Sequence, residues 1–179
     1  MNLMHDVSFG KLDKNEVNVV VENCHGSSNK IEYDNEKGAF KLDRVFYSAV
    51  FWPFDYGFIP QTWHEDEDPV DVVLITSRPT FPGCIVAARP VALLLMEDEK
   101  GLDDKVVAVP ADDPRFAEWK DAADIPEHTK KEIREFFETY KRLEPNKWVK
   151  VKNWEPAETA KASIKKAVES YRKKFGKRN

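Results

Sequence analysis

Apolar and polar positions along this chain follow two rhythms in succession. Residues 17–21 (VNVVV) form a β-branched run, and residues 30–34 and 40–43 flank the turn-forming NEKG of residues 35–38, which predicts a hairpin. Residues 70–76, 84–96 and 106–109 predict further strands. Pro90, inside the longest of them, requires an edge position, a bulge or a sharp bend, because proline cannot donate to a strand ladder. Residues 147–152 alternate apolar and basic side chains, as a half-buried strand does. The period then lengthens. Ile133, Phe136, Phe137 and Tyr140 form one stripe of a helix over about residues 126–143. Ala157, Ala160, Ile164, Val168, Tyr171 and Phe175 form the stripe of a second over residues 156–175, with Pro156 suited to its first turn and Gly176 to its stop. The aromatic-rich stretch 46–60 is too irregular for a helix or a plain strand, and most of its rings are expected in the core. Strands first and helices last predict an α+β fold on a small barrel or strongly bent sheet. No repeat or linker divides residues 1–179 into more than one domain.

Composition narrows the function classes. A hydrophobic share of 41% with 12% aromatics supports a packed core, and a net charge of −4 gives no support to general nucleic-acid binding. The basic residues Lys165, Lys166, Arg172, Lys173, Lys174, Lys177 and Arg178 fall on the last helix and tail and read as a solvated face. Cys24 and Cys84 are too few for a disulfide framework and too isolated for a zinc site, so they read as reduced, small core residues. The N-terminus lacks an apolar signal region, and no window approaches the ~18 apolar residues of a membrane span. The expectation is a cytoplasmic protein with no membrane partner.

The chemistry concentrates where HEDEDPVDVV (residues 64–73) places five carboxylates in seven positions at the mouth of a strand. Asp66 and Asp68 share a side of an extended segment, and Asp71 approaches from the strand itself. Hard oxygen donors in this pattern select Mg²⁺, Mn²⁺ or Ca²⁺. An EF-hand starting at Asp66 fails, because its sixth and twelfth positions hold Asp71 and Ser77. A haloacid-dehalogenase-like site is weak, because the apolar strand follows the aspartates instead of preceding them. A second acidic loop, residues 97–105, also lies between strands, and carboxylates at two strand ends suggest a shared multi-metal site for attack on phosphorus. Lys30, Arg44, Lys105 and Lys141 are candidate phosphate partners, Arg44 above all because its planar fork suits bidentate contact. The hydroxyl of Tyr56, next to Gly57, is a further candidate ligand contact.

Together these residues resemble the soluble family I inorganic pyrophosphatases of prokaryotic type. The likeness runs from about residue 17 to 175. It is carried in order by K-x-E at Lys30, LDR ending at Arg44, P-x-x-YG ending at Gly57 and D-x-D-P-x-D from Asp66 to Asp71, then by D-x4-D-x-K from Asp98 to Lys105, FF-x-x-YK ending at Lys141 and KWV-x-V-x-x-W ending at Trp154. The resemblance implies a five-stranded OB-like closed β-barrel with additional strands and two C-terminal helices. It also implies Mg²⁺-dependent hydrolysis of pyrophosphate to two phosphates by a metal-activated water, with several Mg²⁺ per site and Mn²⁺ as an alternative. By position, Asp66, Asp71, Asp98, Asp103 and Glu32 would hold metal. Asp68 would orient the attacking water and take its proton, and Glu22 would sit in a hydrogen-bond network at the edge. Lys30, Arg44, Tyr140 and Lys141 would hold the phosphates, with Tyr56 and Lys105 completing the pocket. A homo-oligomer, a hexamer of two stacked trimers, is implied as well.

The chain departs from the family pattern at Glu67, where a small or short polar residue is usual, and at Trp52, where Tyr is frequent. It departs again at Asn23–Cys24, where an apolar residue and proline are common, and at Ile31, where Tyr is common. Two other readings compete. An OB-type module for single-stranded nucleic acid needs a basic groove with stacking aromatics, whereas the strand-end loops here are acidic. An enzyme on another phosphoanhydride or phosphoester would share most of these residues.

Overall fold

The computed structural model describes residues 1–64 and 67–176; Asp66, Lys177 and Arg178 therefore lie outside the described residues. In chain order its elements are β1 (Gly10–Lys11), β2 (Glu16–Asn23), β3 (Asn29–Asp34), β4 (Ala39–Val45), β5 (Asp55–Ile59), β6 (Val70–Leu74), β7 (Ile85–Asp98), β8 (Gly101–Leu102), β9 (Lys105–Pro110), α1 (Glu127–Thr139), β10 (Val149–Pro156) and α2 (Ala157–Phe175). Five strands close on themselves: β2 pairs with β5, β5 with β6, β6 with β9, β9 with β7, and β7 returns to β2. Every pairing in this ring is antiparallel except β6 with β9. Strands β1, β8 and β10 extend the barrel at its margins, while β3 and β4 form a separate two-stranded hairpin. This is the five-stranded closed barrel with additional strands and two helices that the resemblance implied.

Alternation decides what the strands bury. Val17, Val19 and Val21 of β2, Ile59 of β5, Val70, Val72 and Leu74 of β6, Leu93 of β7, and Val106 and Ala108 of β9 meet in one cluster, onto which α2 packs Ala160, Ile164, Ala167 and Val168. The opposite residues of β5, β6 and β9 join a second cluster that α1 closes with Ile133, Phe136, Phe137 and Tyr140. Both helical stripes predicted from periodicity are the faces that become buried, while Lys165, Lys166, Arg172, Lys173 and Lys174 of α2 are exposed. Gly176 stops α2 at φ +80°, and Pro156 is its N-cap.

Pro90 produces the expected bulge. The register against β9 shifts between Pro90 and Ala92, and there the other edge of β7 exchanges β2 (Ala88 opposite Val17) for β10 (Ala92 opposite Pro156). Two expectations need correction. The stretch 46–60 ends in a regular strand, β5, whose five residues are all buried, so it shows no polar alternation. Cys24 and Cys84 are free but only half-buried, and so are not core residues.

Gly57, in the middle of β5, is required by close approach. A Cβ there would lie 1.9 Å from the Val20 carbonyl oxygen and 2.9 Å from Val21 Cα, backbone atoms that cannot rotate away. Gly57→Ala is expected to destabilise the protein by about 3 kcal/mol or more. A urea titration reads this directly; a midpoint unchanged from that of the unaltered protein would contradict the close approach.

Candidate active site

The only parallel pairing of the barrel builds the acidic half of the site. Val72 of β6 lies opposite Val106 of β9, so the preceding residues, Asp71 and Lys105, come side by side. The Lys105 ammonium donates to Asp71 Oδ2 at 2.6 Å and also to Asp103 Oδ1, and Lys105 is only 3% exposed. Burial would lower the Lys105 pKa, but the two carboxylates outweigh it and hold the ammonium charged well above its ordinary value. Burial raises the Asp103 carboxyl, Lys105 opposes that, and the charge of Asp71 adds to the rise. The loop carrying Asp103 is fixed to the end of β7, where Asp103 N donates to Met96 O and Asp104 Oδ1 accepts from Met96 N.

The buried Tyr56 hydroxyl lies within electrostatic range of Asp71 and Asp103. Burial, then the charges of Asp71 and Asp103, keep this phenol protonated far above the usual range. Tyr140, also buried, is pushed up by burial too and lies within electrostatic range of Lys105, Asp103, Arg44 and Asp98. Lys141 reaches Asp98 Oδ2 at 2.7 Å and Glu99 at 3.7 Å. Burial alone would raise the Asp98 carboxyl, but hydrogen bonds from Lys141 and from Lys100 N bring it below its ordinary value.

The hairpin supplies the cationic wall. Lys30 of β3 and Arg44 of β4 are directly opposite, and the register then shifts so that Ile31 faces Leu42, leaving Asp43 as the extra residue of a bulge. Two like charges on opposed strand positions repel, and an anion between them relieves that repulsion. In the protein alone, Asp43 lies 3.8 Å from Lys30 and bonds Arg44, while Glu32 takes Lys30 at 2.7 Å. Glu22, Lys30, Glu32, Tyr56, Asp68 and Asp71 share the wall of one cavity of about 470 Å³. Burial, offset by the Tyr33 backbone N–H and reinforced by Asp71, pushes the Glu22 carboxyl up to about 8.

Of the site residues predicted from sequence, Glu22, Lys30, Glu32, Tyr56, Asp68 and Asp71 line one cavity, Lys105 joins Asp71 to Asp103, Tyr140 lies within electrostatic range of Lys105 and Arg44, and Lys141 binds Asp98, while Asp66 lies outside the described residues. Among the described residues no three Asp, Glu, His or Cys side chains form a ready-made metal cage. The donor set nevertheless fits a hard cation: Asp71 and Asp103 converge on one ammonium, leaving an excess of anionic oxygen at a single point.

The family model for inorganic pyrophosphatase matches residues 19–172. The chain belongs to the inorganic pyrophosphatase family. It is 47% identical to the inorganic pyrophosphatase of Haloferax volcanii, over 98% of this chain and 99% of that one. To that of Aeropyrum pernix it is 52% identical over 87% and 90% of the two chains. The crystal structure of the Thermus thermophilus inorganic pyrophosphatase superposes with a TM-score of 0.93 at 46% identity, covering 96% of this chain and 99% of that one.

Glu67 is exposed, at φ +67°, and 3.4 Å from Lys174 of α2. Sequence reasoning missed Glu144. This buried carboxylate accepts from Arg44 Nε at 2.8 Å and lies 3.1 Å from Lys147, tying the hairpin to the segment after α1. It also missed Asp55, fully buried, which takes His25 N, Thr80 N and the Thr80 hydroxyl and so joins two loops. Neither residue carries a local signal, because each acts on a partner 25 or more positions away.

Proposed function

We propose that this chain hydrolyses inorganic pyrophosphate to two phosphates in a Mg²⁺-dependent reaction. The observation that carries the reading is one cavity lined by both Lys30 and Asp71, with Arg44 opposite Lys30 on the hairpin and Lys105 joining Asp71 to Asp103. Lys30, Arg44, Tyr140 and Lys141 hold the phosphate oxygens, and the fixed cations take up charge that develops on the leaving phosphate. Asp71, Asp103, Asp98 and Glu32, with Asp66, hold the metal. Bound Mg²⁺, or Mn²⁺ in its place, supplies Lewis acidity toward phosphoryl oxygens and acidifies water. Asp68, on the cavity wall, orients the attacking water and accepts its proton as the new oxygen–phosphorus bond forms and the bridging oxygen departs with the second phosphate. Tyr56, kept protonated, orients Asp71. Glu22 buffers the edge through its bond to the hairpin.

A single domain over residues 1–179 carries all of this. The same reading makes the protein a cytoplasmic homo-hexamer with neither nucleic acid nor membrane as partner. Exposed Tyr47, Phe51, Phe81 and Leu143 support burial between copies, and among the described residues no helix is long and apolar enough to cross a membrane.

Phosphate release from pyrophosphate, measured with Mg²⁺ present or chelated, tests the reading. Release should require the cation and fall by about a hundredfold in Asp68→Asn with the melting temperature retained. A folded, Mg²⁺-replete protein that releases no phosphate from pyrophosphate would overturn it and turn the search to other phosphoanhydrides.

A further inference from the structure

We infer that Asn23 and Trp52 are positioning residues that set the register of β3 and thereby aim Lys30 into the cleft; the inference rests on the proposed role of Lys30. One edge of β3 pairs with β4. Its other edge faces the barrel, and among the described residues no backbone hydrogen bond joins β3 to β2. Side chains form the ladder instead. Trp52 Nε1 donates to Asn29 O at 2.8 Å. The Asn23 amide accepts from Ile31 N at 2.7 Å and donates to Ile31 O at 3.0 Å. Glu22 accepts from Tyr33 N at 2.7 Å. The rungs fall at residues 29, 31 and 33, the alternate positions whose backbone groups share one edge of the strand.

This arrangement fixes a choice that a free hairpin leaves open. Lys30 and Glu32 lie on one face of β3, bonded to each other and lining the cavity. A slip by one residue would exchange Lys30 and Glu32 for the opposite face of the strand and break their bond to each other in its present place. Asn23 guards against the slip most strongly, because it satisfies both polar groups of a single residue, the one between Lys30 and Glu32. Asn23 is 1% and Trp52 2% exposed, so loss of either leaves β3 backbone groups that bulk solvent reaches poorly. Trp52 is held in turn by stacking on Tyr56 at 4.9 Å and packing on Phe136 at 4.9 Å, which links the hairpin to β5 and α1. Each of the two places a hydrogen-bonding group on the β3 backbone.

The test is a double-mutant cycle in the full chain with Mg²⁺-pyrophosphate as substrate. Lys30→Ala should raise KM by about tenfold, the loss of one charge-assisted contact. Asn23→Leu, which keeps the branched shape and removes both hydrogen-bonding groups, should raise KM several-fold with a smaller change in kcat, and the Asn23→Leu/Lys30→Ala pair should be no worse than Lys30→Ala alone. Trp52→Phe, which keeps the ring and removes the indole N–H, should show the same non-additivity more weakly, and it carries the cycle if the leucine variant does not fold. An Asn23→Leu variant with a lowered melting temperature and an unchanged KM would overturn the inference, as would KM effects that multiply. An unchanged KM in Lys30→Ala would instead overturn the assignment of Lys30 and, with it, the inference built on it.

Discussion

Asp71→Asn is expected to slow pyrophosphate hydrolysis by about a thousandfold while the metal-free protein melts within about 3 °C of the unaltered one. The two halves of this expectation have one cause. Asp71 is one of two carboxylates on the Lys105 ammonium and lies beside the buried Tyr56, so it stands at the centre of the acidic half of the site. Without metal, its charge opposes that of Asp103, whose carboxyl it helps push upward. Neutralising Asp71 relieves that repulsion, and an asparagine oxygen still accepts from Lys105. With metal, the loss removes an anionic donor where neutral amide oxygen is a poor substitute. Steady-state kinetics and a Mg²⁺ titration followed by thermal shift separate the halves. A kcat within tenfold of the unaltered value would remove Asp71 from the metal-binding set.

Lys105→Met inverts the pattern. Removing the buried ammonium leaves Asp71 and Asp103 facing each other without a cation, a break that costs about 3–5 kcal/mol. For a chain of this length that is a drop in melting temperature on the order of 10 °C in the metal-free protein. Millimolar Mg²⁺ should recover a large part of it, since a divalent cation can neutralise the same two carboxylates. Matched sodium chloride should recover less, because partly buried carboxylates are screened less than exposed ones and a monovalent ion neutralises only one of them. If Mg²⁺ stabilises the variant no more than it stabilises the unaltered protein, the two carboxylates are not a cation's seat.

What the sequence made legible follows from how far each signal reaches. The valine run of β2, the NEKG hairpin and both helices are local patterns, and all appear where periodicity puts them. Strand β5 was hidden because burial on both faces removes alternation and because Gly57, usually a strand breaker, is there for a neighbour's carbonyl. The acidic loops could be read as metal-binding because five carboxylates in seven positions have few other uses. Glu144, Asp55 and Asn23 could not. Each is one polar residue in ordinary surroundings, and its significance depends on a backbone or guanidinium brought to it by the tertiary fold.

The parallel pairing of β6 with β9 has a kinetic consequence. Asp71 and Asp103 are 32 positions apart, and the long strand β7 must be laid down between them before β9 can take its place against β6. Contacts of that sequence separation form late, because loop closure is costly until the intervening strands are in place. A chain still emerging during synthesis, or one refolding from denaturant, therefore holds both acidic loops but no converged pair of carboxylates until the ring of strands is complete. Catalytic competence is therefore expected to appear together with barrel closure on refolding, which activity and tryptophan fluorescence followed in parallel would check.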